Sequence, residues 1–199
     1  MRIGVLGTGM VGRTIAGALA ERGHDVRVGS RTAGDHAVVF ADAAAYGEVL
    51  FNCTSGGVSL EVLAAAGEEN LAGKLLIDVS NPLDGSGGVF TSATESVGEQ
   101  IQQAFPAARV VKSLNTINCN LMVDPASVPG DHVVFVCGDD EEAKEQARGV
   151  LGELGWPAEC VIDLGDIAGA RAVEHYILLW IRLWRATGGP QFNIALATE

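Results

Sequence analysis

Residues 1–31 constrain this chain more than any other stretch. Ile3-Gly4-Val5-Leu6 is a short apolar run suited to a central parallel strand, which is buried on both faces. It leads into Gly7-Thr8-Gly9-Met10-Val11-Gly12, a G-x-G-x-x-G spacing in which each glycine has a mechanical task. Gly7 permits a tight turn, Gly9 lets the backbone approach a pyrophosphate, and Gly12 lets the following helix pack on the strand. Ile15, Ala16, Leu19 and Ala20 then recur at helical spacing, so the amides of the first helical turn face whatever phosphate lies over the glycines. Gly23 ends the helix, and Val26-Arg27-Val28 makes a second strand. Strand, glycine turn, helix and strand together predict an α/β chain of Rossmann type, doubly wound about a mainly parallel sheet.

The tip of the second strand decides which dinucleotide suits such a turn. An NAD site places an Asp or Glu there to accept hydrogen bonds from the ribose hydroxyls. This chain has Gly29-Ser30-Arg31-Thr32 instead. A guanidinium fork and a short hydroxyl suit a 2′-phosphate, so Ser30, Arg31 and Thr32 predict NADP(H) as the cofactor.

Length and composition narrow the rest. A chain of 199 residues holds one α/β domain with a substantial core but not a second, large substrate domain. A second substrate must then be held by the nucleotide domain, by a short C-terminal extension or by a second subunit. The net charge of −12 argues against nucleic acid and anionic membrane surfaces as partners. It also opposes an anionic cofactor, so affinity must come from local groups such as Arg31, Arg13 and a helix N-terminus. Cys53, Cys119, Cys137 and Cys160 have no paired spacing and read as reduced thiols, with no metal site expected. The N-terminal apolar run is only a strand long, and Ala172–Trp184 carries charges and is too short to span a bilayer. These features predict a soluble, cytoplasmic protein.

Further strands are expected at 49–53, 75–79, 109–114, 133–137 and 160–164, with a short one at 37–40. Helices are expected at 58–66, at 94–105 with Val97, Ile101 and Ala104 on one side, from Gly138-Asp139-Asp140 to Leu154, and at 167–186; Asp42 would cap another. The strand exits carry the remaining candidate cofactor contacts. Thr54 and Ser55 follow one strand and serve either a cofactor or only the cap of the next helix. Asn81 and Pro82 follow the next and could hold a nicotinamide edge, and Asp84–Gly88 reads as a mobile loop. Asn115 and Thr116 open an Asn-rich exit whose neutral donors and acceptors suit a carboxamide. The last helix presents Val173, Tyr176, Ile177, Trp180, Leu183 and Trp184, too many for one stripe, which predicts cover by a second subunit. We therefore expect one NADP-binding domain over residues 1–199, with 165–199 a C-terminal helical extension used in a homodimer.

This pattern resembles the coenzyme F420-dependent NADP oxidoreductases over nearly the whole chain. The resemblance rests on the Gly7–Gly12 turn, Gly29-Ser30-Arg31, Asn81-Pro82-Leu83, Lys112-Ser113-Leu114-Asn115-Thr116, Val136-Cys137-Gly138-Asp139-Asp140 and the Trp-rich last helix. Archaeal members carry one more glycine ahead of the turn, where this chain has Leu6. The resemblance implies that Thr8 lies near the phosphates and Ser30 and Arg31 at the 2′-phosphate. It also implies that F420, or a related flavin, lies over the nicotinamide between the Asn81 and Asn115 loops as second substrate. Hydride transfer between two such cofactors needs no titratable side chain, so no catalytic residue is expected. Were the acceptor another small molecule, a carbonyl or imine, a proton donor would be required. Lys112, His132, Tyr46, His175 and Tyr176 are the candidates, although Lys112 reads as a surface lysine, His132 as a loop residue and His175 as a hydrogen-bonded core histidine. A third reading is a non-catalytic NADP(H) sensor.

Overall fold

Ile3, Val5, Leu50, Phe51, Leu76 and Ile77 have no accessible surface at all. Short apolar segments reach that state when they lie in the middle of a sheet with helices on both faces. The computed structural model describes residues 1–197. It contains strands β1 (Arg2–Leu6), β2 (Asp25–Ser30), β3 (Val38–Val39), β4 (Val49–Asn52), β5 (Leu75–Asp78), β6 (Arg109–Ser113), β7 (Val134–Cys137) and β8 (Val161–Asp163). The helices are α1 (Met10–Glu21), α2 (Phe40–Tyr46), α3 (Gly56–Ala66), α4 (Glu68–Leu71), α5 (Val97–Ala104), α6 (Cys119–Val123), α7 (Glu141–Glu153) and α8 (Ala170–Thr187).

The strands form one sheet in the order β3-β2-β1-β4-β5-β6-β7-β8. Every neighbouring pair is parallel except β6 and β7, which run antiparallel with Lys112 opposite Cys137. One core layer joins the sheet to α1, α6 and α7 through Ile15, Leu19, Met122, Ala147 and Leu151. The other joins it to α2, α3, α5 and the start of α8 through Phe40, Leu63, Ile101 and Ala170. This is the doubly wound α/β architecture expected from the first strand, turn and helix. The strand order reverses between β1 and β4, and the crevice beyond their carboxyl ends is where such sheets take ligands. Among the described residues, no helix is long and apolar enough to cross a membrane.

Local chemistry moves several boundaries. Helix α5 begins at Val97 rather than Thr94, because the Ser96 hydroxyl accepts the Glu99 amide and donates to the Glu99 carboxylate. Ala104 is exposed rather than on the buried side with Val97 and Ile101. Asp42 does not cap α2; Val39 is the cap residue and Asp42 sits in the first turn, where its charge favours the positive helix end. Helices α4 and α6 are short and were not apparent in the sequence. The Asp84–Gly88 loop is laced on itself, with the Asp84 carboxylate accepting from the Ser86 amide, the Ser86 hydroxyl and the Gly88 amide.

The C-terminal extension is helical only to Thr187, where Gly188 takes a left-handed conformation (φ 77°) and closes the helix. The chain then doubles back. Val133 donates to the Ile194 carbonyl and Asn193 donates to the Val133 carbonyl, so residues 193–195 lie as a strap along 132–133. Helix α8 is covered on one side by α5 through Ala170, Val173, Glu174 and Ile177, while Leu178, Leu179 and Trp184 are exposed. Its apolar residues are thus not enclosed by this chain on two sides. Residues 198 and 199, the end of the expected extension, lie outside the described residues.

Candidate functional site

The glycine turn is held from both flanking strands. Gly7 donates to the Gly29 carbonyl of β2, and Cys53 donates to the Leu6 carbonyl of β1. Gly7 has φ 124°, and a Cβ there would stand 2.8 Å from the Cys53 carbonyl oxygen. A Cβ on Gly12 would run into the Gly7 carbonyl, so α1 can approach the turn only as glycine. Helix α1 then starts at Met10 behind Gly9 as cap residue, with no capping side chain and no acidic residue in its first turn. The amides of its first turn therefore point into the crevice without an internal acceptor. In contrast, α5, α6 and α7 are capped by the side chains of Ser96, Asn118 and Asp140.

Around this turn lies an open cleft of about 550 Å³. Gly7, Thr8 and Gly9 form its floor, Ser30, Arg31 and Thr32 one end, and Thr54 and Ser55 the facing wall. Eight of the sequence-predicted residues are thus brought to one cavity. Met10 is exposed beside it, Val11 packs toward the core, and Gly12 is buried under the turn. Arg31 is exposed and, among the described residues, makes no ion pair. The Ser30 hydroxyl donates to the Thr32 carbonyl, which curls the tip of β2 around the cleft end. A smaller cavity of about 160 Å³ continues past Arg31 over Phe40 and Val62. The hydroxyl of Thr54 is turned inward to Asn52 Oδ1 at 2.7 Å, so Thr54 offers the cleft its backbone and methyl rather than a free hydroxyl.

Asn81, Pro82, Asn115 and Thr116 do not line this cleft; they lie beyond its Ser55 wall, in loops made of paired groups. Gly56 donates to the Asn81 carbonyl, which seats the Asn81 loop against the start of α3. Asn81 Nδ2 donates to the Asn115 carbonyl at 2.7 Å, and Asn115 Nδ2 donates to Asn81 Oδ1 and to the Val173 carbonyl, both at 3.0 Å. The donors expected to be free for a carboxamide are largely spent on each other. Pro82 and Thr116 are buried behind them.

Beneath these loops is a polar row that the sequence reading missed. Asn52, Asp78 and Lys112 lie in register on β4, β5 and β6, each two residues beyond the apolar column of Leu50, Leu76 and Val110. Lys112 is not a surface lysine; it is 1% exposed. Its Nζ donates to Asp78 Oδ2 at 2.7 Å and to the Ser80 carbonyl at 2.6 Å, and pairs with Glu174 Oε1 of α8 at 2.8 Å. Burial pushes the Lys112 ammonium down, but the two carboxylates outweigh it and hold the group above its ordinary value. Asp78 Oδ1 accepts from Asn52, and Glu174 accepts from the Val97 and Gly98 amides at the start of α5. The available signal was a polar residue ending each of three successive apolar runs, VLFN, LLID and VVK.

The other candidate proton donors are elsewhere or engaged. Tyr46 lies at the opposite end of the sheet from the cleft, with the Arg27 guanidinium 3.7 Å from its ring centroid. His132 is buried, with Nε2 against the Pro125 carbonyl and Nδ1 against Asn193. His175 Nδ1 lies 2.9 Å from the Arg171 carbonyl one turn earlier in α8. Tyr176 is half-buried with no partner for its hydroxyl among the described residues, and burial pushes its phenol up. All four cysteines are free. Burial, reinforced by the charge of Asp78, raises the Cys53 thiol at the cleft wall, and burial first of all pushes Cys137 up to about 12, so neither is a ready nucleophile.

Comparison with known proteins sets this geometry in a lineage. The family model for coenzyme F420-dependent NADP oxidoreductase matches residues 2–82, the part that carries β1 to β5 and the cleft. An assigned F420-dependent NADP reductase from Arthrobacter sp. FB24, known as a crystal structure, is 48% identical over the full length of both chains, with a TM-score of 0.94. The metalloreductase STEAP3 of Rattus norvegicus is 31% identical over 194 residues, 92% of this chain and 38% of that one. The F420-dependent NADP reductase of Methanocaldococcus jannaschii is 26% identical over 147 residues, 71% of this chain and 64% of that one. The chain thus spans less than two thirds of either curated relative.

Proposed function

The chain belongs to the F420-dependent NADP oxidoreductases, and on that premise we propose that it transfers a hydride between NADP(H) and the deazaflavin F420. The observation that carries the cofactor assignment is the uncapped start of α1 on the floor of one cleft and, at its end, an Arg31 that makes no ion pair among the described residues, in a chain of net charge −12. Free amides and a free guanidinium suit two separate anionic groups, a pyrophosphate and a 2′-phosphate. The glycine cradle fits as well, since side chains at Gly7 or Gly12 would close it. Gly7, Thr8, Gly9, Met10, Val11 and Gly12 would hold the pyrophosphate, and Ser30, Arg31 and Thr32 the 2′-phosphate. Thr54, Ser55, Asn81 and Asn115 would form the walls along the nicotinamide, with Pro82 and Thr116 packed behind them. Bound there, NADPH supplies the hydride.

Within this reading the protein orients and excludes water; it does not shuttle protons. The ionisable groups tied to the Asn81 and Asn115 loops, Asp78 and Lys112 through Ser80 and Glu174 beside Val173, are consumed by one another. That suits transfer between two redox cofactors, where both partners carry the chemistry, better than reduction of a carbonyl or imine, which draws a proton from the site. The pocket between the Asp84–Gly88 loop and α8 holds Arg182 and Arg185, two cations in an acidic protein, and suits an anionic tail on the second substrate. The exposed Leu178, Leu179 and Trp184, spread around the outer half of α8, would be covered where a homodimer closes on that helix.

The likeness to a metalloreductase, a reductase named for an acceptor other than F420, leaves room for a second reading in which an ordinary flavin replaces the deazaflavin. Stopped-flow oxidation of NADPH with F420, FMN, FAD or no acceptor separates these. Rapid loss of NADPH absorbance with F420 alone is expected. Turnover with FMN or FAD alone would transfer the assignment to flavin reduction, and tight NADPH binding without turnover would favour a redox sensor.

A further inference from the structure

A lysine buried between two carboxylates requires an explanation beyond stability. Such clusters lose about as much in desolvation as they gain in attraction, and an apolar trio of similar volume would hold the sheet as well. What the cluster does achieve is local. The Ser80 peptide is gripped on both sides: its N–H donates to Asp78 Oδ1 at 3.2 Å, and its carbonyl accepts from Lys112 at 2.6 Å. The next residue is Asn81, whose carbonyl holds Gly56 and whose side chain is cross-paired with Asn115. Asn115 in turn holds the Val173 carbonyl, one residue from the Glu174 carboxylate that closes on Lys112. Two routes therefore link the loop to successive residues of α8.

We propose that Lys112 is a positioning residue for the nicotinamide end of the cleft: with Asp78 it fixes the Ser80–Asn81 turn, and through Glu174 it fixes that turn relative to α8. The inference rests on the reading of the cleft as an NADP(H) site. Lys112 touches no ligand, since its ammonium has no accessible surface and each of its three protons has an acceptor. The remaining negative charge of the cluster is met by the Val97 and Gly98 amides at the positive end of α5. Position, not charge, is what the cluster delivers to the loop.

The test separates the two halves of the dinucleotide. Lys112→Met alone leaves Asp78 and Glu174 facing one another, so the variant of choice is Lys112→Met with Asp78→Asn. It keeps one buried negative charge, and the new amide oxygen can still accept from Ser80 N–H. Binding of NADPH and of adenosine 2′,5′-bisphosphate, which lacks the nicotinamide, is measured by calorimetry on the full chain. Unchanged affinity for the bisphosphate, within about twofold, with NADPH weakened by about tenfold or more is the expected result. Asn81→Ala, outside the charge cluster, should reproduce the same split. NADPH emission, which reports the surroundings of the dihydronicotinamide, should move toward that of free NADPH in both variants. Equal losses for the two probes, or no loss for either, would overturn the positioning role. Failure of the wild-type protein to bind the bisphosphate would instead overturn the NADP(H) reading beneath it.

Discussion

The glycine cleft and the Asn81 loop beyond it are made in opposite ways. At the glycine end the protein leaves groups unmatched: α1 has no side-chain cap and Arg31, among the described residues, has no ion-pair partner. At the Asn81 end it matches almost everything: Asn81 with Asn115, and Lys112 with Asp78, Ser80 and Glu174. The contrast follows from what each end is proposed to hold. A phosphate rewards free, charged donors held ready in advance. A neutral ring rewards shape, and unpaired buried donors there would only cost desolvation.

The largest expected effect sharpens this contrast at the matched end. Lys112→Ala leaves two buried carboxylates without a counter-ion, and thermal melting is expected to report a loss of about 3–5 kcal/mol; a melting point near wild type would mean the cluster is not ionised as paired. At the unmatched end, Arg31→Ala should barely alter melting yet weaken NADPH by about 10- to 100-fold, the worth of one or two charge-assisted hydrogen bonds, with NADH unaffected. Equal losses for both nucleotides would remove the 2′-phosphate from the Arg31 end.

The glycine turn should divide in the same fashion. A Cβ on Gly9 meets nothing within 4 Å, whereas one on Gly12 collides with the Gly7 carbonyl. Gly12→Ala is therefore expected to destabilise the fold by about 1–3 kcal/mol through overpacking. Gly9→Ala should fold normally and lose NADPH affinity only, because the added methyl lies on the ligand's path. Paired melts and titrations check both.

The smallest effect provides a reference remote from either end. Asp140 caps α7, and the hydrogen bonds from Arg109 come first among the causes that hold its carboxyl down at about 2, against an ordinary 3.8. Its folded value lies below its unfolded one, so this stabilisation is complete above the ordinary carboxylate range and disappears as pH falls through 3.8 toward 2. Asp140→Ala should cost about 1 kcal/mol at neutral pH. The difference from wild type should shrink on acidification in parallel urea titrations, while NADPH affinity stays unchanged.

How much of this was legible in the sequence follows the same division. Val5, Phe51 and Ile77 announced strands because a strand buried on both faces has no polar alternation to blur it. The glycine turn was legible because its demands are met by backbone, and only glycine meets them. The buried cluster was not, since a lysine in a strand reads as solvent-facing and its partners stand 34 and 62 positions away. The Asn115 region looked like a set of free donors because nothing in it signals that Asn81 will arrive opposite. Helix α8 was read as needing cover from a second subunit; this chain covers Ala170, Val173 and Ile177 and leaves Leu178, Leu179 and Trp184 outside.

The strap formed by residues 193–195 changes what kind of object α8 is. A terminal helix fastened only at its start behaves as a cantilever, free to swing at the far end. This one is anchored near its start by Glu174 and beyond its end by the pairing of Asn193 and Ile194 with Val133. It is a beam on two supports. The far end of the helix is therefore held by the body of the sheet through Val133, and not by the helix's own start.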